Sequence, residues 1–188
     1  ENIMITQGVL PAMWLAIQHA CKPGDEVIVT DPMYYPFYTA IDMTHTKPVR
    51  WPLEMEEGYR FDIERLKNLV TRRTKLIFVC NPHNPCGRVM TKEELEGIAD
   101  IAVDRRITVM VDELWEEIIF DGRKHITLAS LSPEIADLTI TSWGFSKAYG
   151  VAGLQLGYLS APKDLVEDLR RISRGVLRGA STLARAIV

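Results

Sequence analysis

The stretch T-I-T-S-W-G-F-S-K-A-Y-G-V-A-G-L-Q-L-G-Y, from Thr139 to Tyr158, decides the fold of this chain. A β-branched, apolar run ends in small and hydroxylated residues, and a single lysine, Lys147, follows it. Glycines then recur at short spacing up to Gly157. No other charged residue occurs between positions 138 and 161. The pattern predicts a strand, a turn, and a lysine in an uncharged setting just beyond the strand.

Lys147 has two interpretations. A lone lysine is usually a solvated surface charge. The aromatic and apolar residues on both sides favour a desolvated lysine instead, and desolvation favours the neutral amine, which is a nucleophile towards aldehydes. We therefore expect Lys147 to be desolvated and to form a Schiff base.

The rest of the chain alternates between short β-branched runs and helical patterns. This alternation predicts an α/β domain, with a mostly parallel sheet and helices on both faces. The near-continuous apolar run Leu76–Cys80 fits a strand that is buried on both faces, and Thr91 with Glu94 forms a capping box at a helix start. The predicted strands are 26–30, 75–80, 107–111 and 138–141, and the predicted helices are 11–21, about 35–42, 62–70, 91–105 and 163–174.

Length, charge and cysteine content exclude several classes of protein. The 188 residues suffice for one domain with a sizeable core and are too few for two ordinary ones. With a net charge of -3 and no basic stripe, the chain is not expected to bind nucleic acid or an anionic membrane. No apolar stretch reaches membrane-spanning length. Three cysteines at no metal-like spacing indicate a reducing compartment, which predicts a cytoplasmic location.

Three further motifs follow predicted strands or precede helices. In T-Q-G-V-L-P-A-M-W, Gly8 permits a tight turn and Pro11 suits a first helical turn. The N–H groups of Val9 and Leu10 would then be free at a helix N-terminus, where phosphate groups bind. Alone, a glycine-proline turn before a helix is usually only a turn. The two Asn-Pro dipeptides of N-P-H-N-P-C-G-R-V predict an irregular loop that contains Asn84.

Asp112 ends the apolar strand of V-M-V-D-E-L-W. A buried carboxylate is costly unless it is paired, so a cation is one expected partner. The alternative is an aspartate that caps the next helix. Both interpretations stay open from the residues alone.

Taken in order, these motifs and D-P-M-Y-Y-P-F-Y resemble the class I/II aminotransferases and their relatives, the pyridoxal-phosphate (PLP) enzymes of fold type I. The resemblance covers Thr6 to about Arg174. It implies that residues 1–188 form a single large PLP-binding domain, and that an N-terminal segment and a C-terminal small domain belong to a complete member but are missing here. It also implies a homodimer.

The resemblance implies a role for each motif. The turn at Gly8, Val9 and Leu10 would bind the PLP phosphate. Tyr34 would stack on the pyridine ring, because a flat aromatic face suits a flat heteroaromatic. Asn84 would donate to the phenolic oxygen. The remaining predicted cofactor residues are Asp112 at the ring nitrogen, Lys147 as the Schiff-base lysine, and Trp115, Ser146 and Gln155.

Three positions depart from the commonest aminotransferases. Trp115 replaces a tyrosine and can donate only through its indole N–H. Gln155 replaces an arginine on the phosphate, so that phosphate binding would depend more on the helix N-terminus. Gly144 replaces a serine. Gln155, G-V-L-P, Y-Y-P-F and N-P-H-N-P-x-G-R-V resemble the cystathionine β-lyase-like branch, whereas D-E-L-W-E-E-I-I-F and G-F-S-K-A-Y-G resemble aminotransferases.

The resemblance therefore predicts a PLP-dependent aminotransferase domain with an amino acid and a 2-oxo acid as substrates. Two alternatives remain: a PLP-dependent C–S β-lyase, which would use the same lysine and cofactor, and a folded fragment without catalytic activity. A nucleotide-binding Rossmann domain is not expected, because no G-x-G-x-x-G follows a predicted strand.

Overall fold

A computed structural model describes residues 1–187 and builds them around one seven-stranded sheet. The strands are β1 (Ile3–Thr6), β2 (Glu26–Asp31), β3 (Lys47–Pro52), β4 (Thr74–Cys80), β5 (Thr108–Asp112), β6 (Thr139–Gly144) and β7 (Gly157–Ser160). The helices are α1 (Val9–Ala20), α2 (Pro36–Met43), α3 (Ile63–Leu69), α4 (Lys92–Arg105), α5 (Pro133–Ala136), α6 (Phe145–Ala148), α7 (Lys163–Val176) and α8 (Thr182–Ile187). Within residues 1–187, no helix has the length and apolar character needed to cross a membrane.

The strand order is β1-β7-β6-β5-β4-β2-β3, and the sheet is mostly parallel. The pairs β3–β2, β2–β4, β4–β5 and β5–β6 are parallel. β7 is antiparallel to both of its neighbours, β6 and β1. The predicted fold class is therefore confirmed. Because β7 runs in the opposite direction, its first residue, Gly157, pairs with Gly144 and Thr6. The start of β7 thus lies at the edge where the parallel strands end.

Each central strand is buried on both faces. Val27, Val29 and Phe78 face one core with α1, α2 and α7, while Ile28 and Ile77 face the other core with α3 and α4. Successive side chains of a strand point to opposite faces, so a strand between two helical layers needs apolar residues at every position. The near-continuous apolar runs in the sequence have this cause.

The sequence prediction located the four central strands and five helices to within a few residues, and it did not include β1, β3 and β7 or the short helices α5, α6 and α8. β3, with sequence K-P-V-R-W-P, is an edge strand in which two prolines and two charged residues leave only Trp51 buried. Proline is tolerated in edge strands because its missing N–H faces solvent. β7 has only four residues and begins with glycine. Neither segment carries the apolar run that signals a buried strand.

The predicted capping box at α4 is present. Thr91 Oγ1 accepts from the Glu94 N–H at 3.3 Å, and the Thr91 N–H donates to Glu94 Oε2 at 2.9 Å. The other carboxylate oxygen of Glu94 accepts from the Phe61 N–H at 3.1 Å and also binds Arg88. One buried carboxylate therefore fixes the start of α4 and the end of the loop that follows β4.

The loop after β4 is held from within by two buried side chains. Asn81 Oδ1 accepts from the Met90 N–H at 2.9 Å. His83 is buried, and its Nε2 lies 2.9 Å from Thr30 Oγ1 on the neighbouring strand. Burial lowers the pKa of His83 to about 4, since the charged imidazolium is penalised away from water. His83 is thus a neutral structural residue of this loop.

We expect His83 to make the fold sensitive to acid. Its pKa is about 4 in the folded chain and about 6.5 in the unfolded chain, so the unfolded chain gains a proton first as the pH falls. Relative to His83→Gln, the wild type should therefore lose up to about 3 kcal/mol of unfolding free energy between pH 6.5 and pH 4. Urea denaturation of both proteins across this range measures the difference, in which all other titrating groups cancel. A difference that does not change with pH would contradict the assignment.

Candidate active site

One cavity of about 290 Å³ lies at the edge of the sheet where the parallel strands end. In open parallel sheets this edge is the usual position of ligand sites. The structure brings all the sequence-predicted site residues to this cavity. They are Gly8, Val9, Leu10, Tyr34, Asn84, Asp112, Trp115, Ser146, Lys147 and Gln155.

The turn between β1 and α1 presents backbone N–H groups to the cavity. Gly8 has a φ of 83° and precedes α1, whose start has neither a side-chain cap nor an acidic residue in the first turn. Pro11 has no N–H, so Val9 and Leu10 supply the donors that a helix start leaves without intrahelical partners. The N-terminal end of this twelve-residue helix is therefore suited to an anionic group.

A second glycine fixes the position of this turn. A Cβ on Gly157 would lie 2.6 Å from the Trp143 carbonyl oxygen and 3.2 Å from the Gly8 Cα. Only a residue without a side chain allows the turn to pack this closely on β7. The glycine-spaced run that follows Lys147 thus has a structural cause that the sequence alone did not reveal.

Asp112 is the one acidic residue among the described residues that line the cavity. Its side chain ends β5 with 3% of the residue exposed, and Oδ1 accepts from the Leu114 N–H at 3.0 Å. Within residues 1–187, no lysine, arginine or histidine forms an ion pair with it. Burial raises the pKa of Asp112 to about 7, and the neighbouring Glu113 carboxylate adds to this rise. The carboxylate is therefore suited to a cationic partner that enters the cavity.

The expectation that Lys147 is desolvated is wrong. Lys147 is exposed, and it lies on the four-residue helix α6 at the mouth of the cavity. The uncharged residues near Lys147 in the sequence do not cover its side chain. Ala152 and Gln155, which line the cavity with Lys147, are themselves exposed. The Lys147 Nζ lies 4.8 Å from the centroid of the Trp115 ring. This distance is a cation–π contact, which orients the ammonium group.

The ring face of Trp115 is thus turned to Lys147, whereas the contact predicted for Trp115 is a donation from its indole N–H. Gln155 has a φ of 47° just before β7, and its Nε2 donates to the Ala152 carbonyl at 2.8 Å. Its Oε1 would lie 3.8 Å from a Cβ on Gly8. Gln155 is thus next to the Gly8 turn, where the predicted phosphate contact requires it.

Tyr34 and Asn84 line the cavity from the loops after β2 and β4. Tyr34 is 45% exposed and packs against Phe37, with ring centroids 5.6 Å apart. Asn84 is partly buried in the loop that Asn81 and His83 hold. Ser146 is partly buried on α6 beside the lysine.

Sequence reasoning missed several apolar residues of the cavity. Leu114, Ala152 and Phe37 line it, and Leu114 Cδ1 would lie 3.0 Å from a Cβ on Gly144. Apolar lining residues carry no chemical signature in a sequence.

Comparison with known protein families gives one match over the whole sequence. The model of the family described as "Aminotransferase class I and II" matches residues 1–188. The chain belongs to the class I and II aminotransferase family. This membership confirms the resemblance that the four motifs indicated.

Members of both branches of the family are similar to this chain. It is 36% identical to aromatic-amino-acid aminotransferase 2 of Thermococcus litoralis over 170 residues, which cover 90% of this chain and 43% of that protein. It is 34% identical to cystathionine β-lyase PatB of Bacillus subtilis over 167 residues, covering 88% of this chain and 43% of the lyase. The chain thus spans less than half the length of these curated relatives.

A solved structure confirms the fold. Cystalysin from Treponema denticola, whose crystal structure contains a pyridoxal 5'-phosphate cofactor, superposes with a TM-score of 0.91 and 34% identity. The match covers 97% of this chain and 48% of cystalysin. The mostly parallel sheet with one antiparallel strand is therefore the fold of PLP-dependent members of the family.

Proposed function

We propose that this chain is the cofactor-binding part of a PLP-dependent aminotransferase, which transfers an amino group between an amino acid and a 2-oxo acid. The observation that carries the proposal is the single cavity that unites a free helix start, a buried unpaired carboxylate and one lysine. We further propose that residues 1–188 act as one such domain of a longer enzyme, since the chain spans less than half of its relatives.

The donor set of the cavity fits the functional groups of PLP. Its phosphate group suits the N–H groups of Val9 and Leu10, and the Gly8 turn leaves room for close approach. Its ring nitrogen, when protonated, suits the buried carboxylate of Asp112, which has no cation among residues 1–187. Its aldehyde suits the amine of Lys147.

When bound, PLP supplies an aldehyde for the amino group and a ring that accepts electron density from the substrate. The residues of this chain would do the rest. Asp112 would hold a proton at the ring nitrogen, and Asn84 would donate to the phenolic oxygen. Tyr34 would stack on the ring and orient it, with Ser146 and Gln155 near the phosphate.

Lys147 would move the proton that transamination requires. Its neutral amine would accept the proton of the substrate α-carbon as a general base, and the resulting ammonium would deliver that proton as a general acid to the carbon of the cofactor's aldehyde group. Its exposure at the mouth of the cavity supports this role, because the amine can reach a substrate that enters from solvent. Trp115 would orient the amine through its ring face.

A C–S β-lyase is the second candidate, and one residue favours it. Gln155 stands beside the Gly8 turn, in the place where many aminotransferases have arginine. The similarity to cystathionine β-lyase PatB and to cystalysin supports the same branch. The lyase would use the same lysine and cofactor on a sulfur-containing amino acid.

We also propose a cytoplasmic homodimer. Three cysteines without a disulfide support a reducing compartment. Tyr35 and Tyr149 are 76% and 66% exposed and are close in sequence to the cavity residues Tyr34 and Lys147. Large exposed aromatic residues of this kind are typical of protein interfaces.

The function is tested on the protein that contains this chain together with any flanking sequence its gene encodes. We expect a nitrogen-labelled amino acid to transfer its label to an added 2-oxo acid, as mass spectrometry detects. Release of a thiol, ammonia and pyruvate from cystathionine, without label transfer, would identify a lyase and contradict the first proposal. Covalent cofactor binding with neither reaction would identify a non-catalytic protein.

A further inference from the structure

A second polar cluster, of Glu113, Glu116 and His125, begins next to Asp112 in the sequence but is not part of the cavity lining. Glu113 directly follows the last residue of β5, and Glu116 is three residues further along the chain. His125 comes after the exposed Phe120 and lies next to both glutamates in space. The His125 Nε2 lies 3.2 Å from Glu113 Oε2 and 3.7 Å from Glu116 Oε2. All three ligand atoms lie within 4.8 Å of one another.

Three atoms of this cluster are buried without a hydrogen-bond partner among residues 1–187: Glu113 Oε1 and both ring nitrogens of His125. The Glu113 side chain is only 3% exposed, and its other oxygen accepts from Thr127 Oγ1 at 3.1 Å. Buried polar atoms are nearly always satisfied, and an unsatisfied group indicates an absent water or ion. Three such atoms at one place indicate a missing partner.

An ion pair with a protonated imidazole does not explain the cluster. Such a pair would point a ring N–H along the line to a carboxylate oxygen. The His125 Nε2 is close to Glu113 Oε2, but the contact lacks hydrogen-bond geometry, and Nδ1 has no partner among the described residues. The carboxylate oxygens accordingly lie to the side of the Nε2 axis, as ligands of an ion placed on that axis would.

We propose that Glu113, Glu116 and His125 form a binding site for a divalent transition-metal ion of the Zn²⁺ or Co²⁺ type. Imidazole nitrogens and carboxylate oxygens are both ligands of such ions, and the two negative charges balance the ion. With metal–ligand distances of about 2.1 Å, ligands of a tetrahedral ion are separated by roughly 3.4 Å. The observed separations of 3.2 and 3.7 Å from His125 bracket this value.

The site would be structural. Through Glu113 it would connect the chain directly after Asp112 to the segment that carries His125, and so position the buried carboxylate of the cavity. Its ligands differ in exposure: Glu113 is 3% and His125 12% exposed, while Glu116 is 26% exposed. Because the Glu116 side chain is partly exposed, an ion can reach the site from solvent on this side.

The test is the binding of Zn²⁺ and Co²⁺ to metal-stripped protein, with PLP added to occupy the cavity. Calorimetry should detect one tight ion per chain, and Co²⁺ should give visible d–d absorption bands. We expect His125→Gln and Glu116→Gln each to weaken binding at least tenfold, as loss of a ligand or its support does. The matched control is His19→Gln, because His19 lies 3.8 Å from Asp168 in a more exposed pair and should bind as the wild type does.

Absence of stoichiometric binding of either ion would overturn the proposal, as would binding that both ligand variants retain. Loss of binding in His19→Gln alone would also overturn it, since it would place the ion elsewhere. Should His125→Gln fail to fold, Glu116→Gln decides the question, because its partly exposed side chain can be changed without burying a new group.

Discussion

Lys147→Ala is expected to abolish the covalent capture of PLP while leaving the fold intact. Lys147 is the lysine of the cavity lining, and its exposed position on α6 means that truncation removes no core contact. The visible absorption that wild-type protein retains after gel filtration with PLP should disappear completely. Circular dichroism and thermal unfolding without PLP should match the wild type.

The control for this variant is Lys92→Ala. Lys92 pairs with Glu96 on the exposed surface of α4 and does not line the cavity. It should retain cofactor as the wild type does. Retention of covalent PLP by Lys147→Ala, or its loss in Lys92→Ala, would show that the reactive amine is elsewhere.

Asp112→Asn should separate cofactor binding from stability, because it changes the two in opposite directions. The amide oxygen can still accept from the Leu114 N–H, so the local hydrogen bond is kept while the charge is removed. Without PLP, the variant should be at least as stable as the wild type, since a buried unpaired carboxylate is lost. PLP affinity should fall by about 2 to 5 kcal/mol, as when one partner of a buried charge pair is removed.

Thermal unfolding with and without PLP measures both effects. Asp62→Asn is the matched control, because Asp62 accepts from the Arg65 N–H at the start of α3, away from the cavity. If Asp112 served only as a cap, its variant would behave as the control does, with PLP affinity unchanged. That result would show that the Asp112 carboxylate does not pair with the ring nitrogen of PLP.

The central strands and the edge that carries the cavity could be predicted from the sequence, because both depend on local signals. β4 is apolar at nearly every position, and this pattern follows directly from burial on two faces. Asp112 stands out because a charged residue directly after such a strand needs a partner. The capping box at Thr91 is likewise a local pattern that the structure confirms.

The parts that the sequence did not predict depend on contacts between distant segments. The close packing of Gly8 on Gly157 joins residues that are neighbours only once β1 and β7 pair. Lys147 looked buried because its sequence neighbours are uncharged, yet α6 lies at the cavity mouth and exposes it. The same limit applies to His125, whose approach to Glu113 depends on the course of the segment between them.

The most direct test of the central claim, that this cavity binds PLP through Lys147, is reduction of the wild-type protein with borohydride in the presence of PLP. Peptide mapping by mass spectrometry then locates the pyridoxyl-phosphate group. We expect one group per chain, on the peptide that contains Lys147. Labelling of other lysines, or no labelling of folded protein in excess PLP, would contradict the claim.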